Sequence, residues 1–131
     1  MFQIITLPGC DGQDIEVGFL ANAATPRRYK AIFGDDLLHK FMGAEVEVDG
    51  HKIYNIDFLQ ELAYVMAMQS AAKSDSKVKL DKLNENTFLD WLEQFDSMAI
   101  ENNASAIVSV YIANTEVSSE AKKNIEEQTE T

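Results

Sequence analysis

At 131 residues the chain has the length of one domain, and a hydrophobic share of 46% supplies enough apolar surface to offset backbone ordering over most of it. The balance of 22 acidic against 11 basic residues gives a net charge of −11, which repels phosphate backbones and argues against a reader of nucleic acid. That excess serves solubility or speeds encounter with a basic partner, and composition leaves both open.

Cys10 is the only cysteine, so an internal disulfide is excluded and a reducing compartment fits best. No apolar run approaches the roughly 18 residues that span a bilayer. The stretch Met1-Phe2-Gln3-Ile4-Ile5 lacks the basic region that opens an export signal. A cytoplasmic protein without membrane contact is expected.

In chain order, Ile4, Ile5 and Leu7 precede a Gly9-Cys10-Asp11-Gly12 turn, after which Ile15, Val17 and Phe19 alternate with other residues. That period of two predicts a pair of antiparallel strands. Thr25-Pro26 then opens a short helix that Gly34 closes, with Thr25 as the expected N-cap. Asp35 or Asp36 caps a second short helix carrying Leu37, Leu38 and Phe41 and ending at Gly43. Asp49-Gly50 centres a hairpin over Glu45 to Tyr54, whose register pairs Val48 with His51, Glu47 with Lys52 and Val46 with Ile53.

From Asp57 the period becomes helical, with Phe58, Leu62, Val65, Met66 and Gln69 on one stripe and Leu59 and Ala63 widening it, to an end near Lys73. Ser74 to Glu85 is polar and rich in lysine, and reads as a mobile loop despite Val78, Leu80 and Leu83. Asn86 or Thr87 caps the next helix, with Phe88, Trp91, Leu92 and Phe95 on one face. A last helix places Ile100, Ala104, Ile107, Val108 and Tyr111 together. The expectation is an α+β fold, mainly helical: one domain over residues 1–117 and a disordered acidic tail over 118–131. Its strands and hairpin would form one small antiparallel sheet. Helices near 57–73, 87–96 and 100–114 would build a core that buries Leu62, Trp91, Phe95 and Val108.

The chemistry of catalysis is sparse. His39 and His51 lack the spacing that would put two ligands on one metal, and neither a phosphate-binding glycine loop nor a nucleophile elbow occurs. No cofactor, metal or catalytic residue is expected, and the chain does not read as an enzyme. Phe95-Asp96-Ser97-Met98 is similar to the serine site of acyl and peptidyl carrier proteins, but a carrier needs two more helical segments after that serine's helix. A loop and N-cap is the preferred reading of Asp96 and Ser97. An acidic mimic of nucleic acid is a third reading, supported by charge alone. Arg27 and Arg28 oppose the dipole in the first turn of a helix, so a compensating anion is expected, either internal, at Asp35, Asp36 or Glu16, or on a partner.

The order of motifs carries a resemblance. Glu16-Val17-Gly18-Phe19, Thr25-Pro26-Arg27-Arg28-Tyr29 and Phe33-Gly34-Asp35-Asp36-Leu37-Leu38 precede Leu62-Ala63-Tyr64-Val65-Met66-Ala67. Phe88-Leu89-Asp90-Trp91-Leu92-Glu93-Gln94-Phe95-Asp96 completes the series. Over roughly residues 14–124 this resembles the tail assembly chaperones of long-tailed bacteriophages (siphophages) of Gram-positive hosts. The hairpin and the lysine-rich loop depart from that pattern as local insertions.

The resemblance implies a protein that binds the tape measure protein, keeps that long helical client soluble, and helps recruit major tail-tube subunits. It would act in the cytoplasm of an infected or lysogenic host and be absent from the virion. Arg27, Arg28, Tyr29, Phe33, Met66, Trp91 and Phe95 are the candidate contact residues. Met42, Met66, Met68 and Met98 offer adaptable side chains or ordinary core packing, and self-association would suit a coating protein. The resemblance also implies a longer form made by ribosomal frameshifting, for which Ala121-Lys122-Lys123-Asn124 is the candidate position; simple charge in the tail is the alternative.

Overall fold

The computed structural model describes residues 1–48 and 51–113, with the description of 42–48 and 51–54 confined to the backbone. The first strand, β1 (Phe2–Pro8), turns through Gly9 to Gln13 into β2 (Asp14–Leu20), and Gly12 takes the left-handed φ of 86° that the turn needs. The pairing is antiparallel, with Ile5 opposite Val17 and Leu7 opposite Ile15. Ile5, Leu7 and Phe19 are buried while Phe2, Ile4 and Thr6 face outward, as the alternation requires.

Helix α1 (Thr25–Phe33) ends where expected, on Gly34 at φ 78°, whose N–H donates to the Lys30 carbonyl at 2.8 Å. Its start differs from expectation. Ala24 occupies the N-cap, because the Thr25 hydroxyl oxygen is already accepting from the Asn22 N–H at 3.0 Å and from Gln69 at 2.9 Å. Helix α2 (Leu37–Ala44) is capped by Asp36, which accepts from the His39 N–H at 3.0 Å. Strands β3 (Glu45–Val48) and β4 (His51–Tyr54) pair in the expected register, while the Asp49-Gly50 turn lies outside the described residues.

The two ribbons do not merge into one sheet, contrary to the sequence expectation. Each has another neighbour. The β3–β4 ribbon is tied directly between α2 and α3, whereas β2 packs on α3 and the end of β1 bonds to the segment after α4. There the Asp96 N–H donates to the Pro8 carbonyl at 2.9 Å and the Cys10 N–H to the Gln94 carbonyl at 3.0 Å. Phe95 therefore sits in a bridge opposite Gly9 rather than on a helix.

Helix α3 (Ile56–Ser74) is the centre of the core. It begins one residue before the expected Asp57, because the Asn55 side chain caps it by accepting from the Phe58 N–H at 3.2 Å. Tyr64 and Ala67 are buried in addition to the predicted stripe, so this helix is enclosed on nearly all sides. A short 3₁₀ turn (Leu80–Lys82) then gives the lysine-rich connection a defined path, where the sequence suggested an irregular loop.

Helix α4 (Glu85–Leu92) starts earlier than Asn86 or Thr87: Asn84 is the N-cap, in a reciprocal capping box with Thr87. It also stops at Leu92, short of the expected 96. A 3₁₀ turn (Glu101–Asn103) leads into α5, the helix over residues 104–113. The expected tail over 118–131 lies outside the described residues.

This α+β domain is knit by aromatic contacts between α1, α3 and α4. Phe33 meets Phe88 edge-on at 5.1 Å, Tyr64 lies 5.5 Å from Trp91, and Trp91 lies 4.9 Å from Phe95. Leu62, Trp91, Phe95 and Val108 are all buried, Trp91 at 9% relative exposure.

Candidate protein-binding surface

The candidate contact residues separate by depth. Tyr29, Met66, Trp91 and Phe95 are buried, Trp91 and Phe95 as the core expectation had it, so none of the four is presented at the surface of this structure: helical spacing that suits a client face also suits a core. Phe33 is half-buried against Tyr29, Tyr64 and Phe88. Arg27 is exposed and Arg28 half-buried.

The arginines also separate by partner. Arg28 Nη1 donates to Gln69 Oε1 at 3.0 Å, so a neutral amide stands where a carboxylate was expected. Arg27 makes no ion pair or hydrogen bond among the described residues, where the one ion pair is an exposed contact of 3.5 Å between Lys40 and Asp35.

Gln69 is the residue that the stripe hides. Though fully buried, it donates from Nε2 to the Leu20 carbonyl at 2.7 Å and to Thr25 Oγ1 at 2.9 Å while accepting from Arg28. One amide thus locks the end of β2 and the first turn of α1 to α3. The signal was a polar side chain at a core-facing position, which is tolerated only when its hydrogen bonds are met.

A second polar link joins α1 to α3, where the Tyr29 hydroxyl donates to Glu61 Oε1 at 2.9 Å. Burial raises the Glu61 carboxyl above its ordinary value, against the opposing pull of that hydrogen bond and of Lys40. Tyr29 is pushed up by burial and by the Glu61 charge. Glu61, though not Tyr29, borders a cleft of about 350 Å³ that Asp35, His39, Lys40 and Asp57 also line. Among the described residues no cluster of His, Cys, Asp or Glu has the geometry to hold a metal.

Exposed apolar side chains occur singly at Leu38, Ile56, Leu89 and Met98, and as neighbours on β1. Phe2 and Ile4 are 55% and 57% exposed and share the outward face of the strand, next to Met1. The Met1–Ala21 and Gly9–Gln13 hydrogen bonds fix the ladder's phase, so the main-chain groups of Phe2, Ile4 and Thr6 point away from β2 along an uncharged edge. Pro8 ends that edge, since it has no N–H to offer.

Met66 is core, Met68 is partly buried against it, and Met98 is half-exposed; the Met42 side chain lies outside the description. Ser97 is exposed, but turn residues 97–100 and the 3₁₀ turn separate it from α5, so it does not stand at the start of a helix.

The fold and surface therefore define an acidic α+β domain with an aromatic core, a strand with one exposed apolar face, and an arginine, Arg27, that has no partner among the described residues. Comparison with family models, with curated proteins and with solved structures returns no match for this chain. Among the described residues no helix is long and apolar enough to cross a membrane.

Proposed function

We propose that this chain is a tail assembly chaperone of a long-tailed bacteriophage. It binds the tape measure protein, keeps that client soluble in the host cytoplasm, and helps bring tail-tube subunits to it, acting by binding and not by catalysis. The ordered motifs between residues 14 and 124 supply the family reading. The structural observation that carries it is the outward face of β1, where Met1, Phe2 and Ile4 stay about half-exposed on an otherwise strongly acidic chain. Apolar side chains grouped in this way fit contact with an apolar client.

Arg27 supports the same reading. A cation in the first turn of a helix costs about 0.3–1 kcal/mol against the dipole, and no internal anion offsets it among the described residues. An acidic group on a client would.

The test is co-expression with the tape measure protein and capture through a tag on that client. The unchanged chain should co-purify. Phe2→Lys with Ile4→Lys should release it while the melting point falls only slightly, because both side chains are already more than half exposed. Arg27→Glu should weaken the complex without destabilising the free chain. Retention of the complex by all three substitutions together would refute this surface, and failure of the unchanged chain to co-purify would refute the function.

A further inference from the structure

Residues 73–83 carry charge of the opposite sign to the rest of the molecule. Lys73, Lys77, Lys79 and Lys82 stand against Asp75 and Asp81, a local excess of two positive charges in a chain whose net charge is −11. All four lysines are exposed, and none forms an ion pair among the described residues. The path of the segment is fixed. The Asp75 carboxylate accepts from the Lys77 N–H at 2.9 Å, and the Lys82 N–H donates to the Lys79 carbonyl at 3.0 Å. The lysines are thereby held on a defined rim.

That rim borders an apolar floor on one side. Lys77, Lys79 and Lys82 border a shallow cleft of about 290 Å³ to which Met68, Val78 and Leu83 contribute apolar surface. Tyr64 closes the bottom, its hydroxyl donating to Thr87 at 2.7 Å and so turned to its own fold. The volume falls just below the range of about 300–1,000 Å³ usual for small-molecule sites, and suits one or two anchoring side chains of a larger partner.

We propose that this lysine-rimmed cleft is a docking site for an acidic amphipathic helix of another protein, whose apolar side chains seat on Val78, Leu83 and Met68 while its carboxylates meet Lys77, Lys79 and Lys82. Charge complementarity selects the sign of the partner, since acidic segments are repelled from most of this molecule and attracted here. The apolar floor selects an amphipathic protein segment over a nucleic acid, whose phosphates gain nothing from it and are repelled by the rest of the chain. Helical spacing lets one apolar stripe fill the floor with carboxylates on both flanks. The inference is independent of the phage reading and uses a surface different from β1.

The probe is a fluorescently labelled synthetic helix with leucines at positions i and i+4 flanked by glutamates, titrated into the full chain and followed by anisotropy and by amide shifts. It should bind, shift amides in residues 77–83, and weaken as salt is raised. Lys77→Glu, Lys79→Glu and Lys82→Glu combined should weaken it by about tenfold or more, a loss of at least about 1.4 kcal/mol. The same triple variant should gain affinity for a control peptide bearing lysine in place of every glutamate. Val78→Ser should weaken binding at unchanged charge, and since all four positions are at least partly exposed, circular dichroism should report an intact fold. The proposal is overturned if the acidic peptide fails to bind, binds the triple variant equally, or shifts amides elsewhere. Tighter binding to a single-stranded oligonucleotide or to phosphatidylserine vesicles through the same lysines would equally overturn it.

Discussion

Replacing Gln69 with leucine keeps the volume of a fully buried side chain while deleting three hydrogen bonds: those to the Leu20 carbonyl, to Thr25 Oγ1 and from Arg28 Nη1. A lost hydrogen bond costs about 0.5–1.5 kcal/mol, and a buried group left without a partner costs about 1–3 kcal/mol. Thr25 keeps its bond from the Asn22 N–H and Arg28 can turn to water, so the Leu20 carbonyl bears most of the loss. The sum is about 2–4 kcal/mol, partly offset by the more apolar side chain. At roughly 4 °C per kcal/mol for a domain of this size, the melting point should fall by roughly 8–16 °C. Urea unfolding of the single variants and of the pair with Arg28→Met should give a coupling of about 0.5–1.5 kcal/mol between the two residues. A loss below about 0.5 kcal/mol for Gln69→Leu, no more than an ordinary surface substitution gives, would refute the role of Gln69 as the link between β2, α1 and α3.

Gly9→Ala places a methyl carbon 2.5 Å from the Gln13 main-chain oxygen, which cannot swing aside, so urea unfolding should show a loss of about 1–3 kcal/mol. Asn84→Ala should cost about 0.5–2 kcal/mol by removing the α4 cap, whereas Asn86→Ala should stay within about 0.5 kcal/mol; the same assay separates them. Glu61 is raised by burial, so its stabilising contribution is full below its unfolded value and is lost as pH rises through its folded one. Gln at this position still accepts from Tyr29 and does not ionise. The melting point of Glu61→Gln relative to the unchanged chain should therefore climb as pH rises above the ordinary carboxylate range. A difference independent of pH would contradict the raised carboxyl.

Much of the fold was legible because local chemistry and tertiary packing agree. The glycine turn with its alternating flanks specifies β1 and β2, Pro26 and Gly34 bracket α1, and β3 pairs with β4 in the register read from the sequence. Boundaries failed where a side chain had two uses. Thr25 could cap α1 but is spent on Asn22 and Gln69, and Asn84 outcompetes Asn86 because it alone sits three residues before Thr87.

The site was less legible, since apolar periodicity cannot tell a core face from a client face. Trp91 and Phe95 have the spacing of either, and only the bridge from Gly9 to Phe95 and the ring contacts turn them inward. The exposed pair Phe2 and Ile4 was hidden inside an apolar run, where alternation is blurred by Ile5. The lysine-rich stretch read as an unstructured loop because its three apolar residues fit neither a helical nor a strand period. A 3₁₀ turn over Leu80–Lys82, with a repeat between those two periods, forms there instead.

The function itself is tested most directly by diluting the denatured tape measure protein into buffer with and without this chain and following light scattering. The account predicts that the chain suppresses aggregation at a fixed molar ratio and remains bound to the client through size-exclusion chromatography, and that Phe2→Lys with Ile4→Lys abolishes both effects. Scattering unchanged by the unmodified chain at any ratio would contradict it.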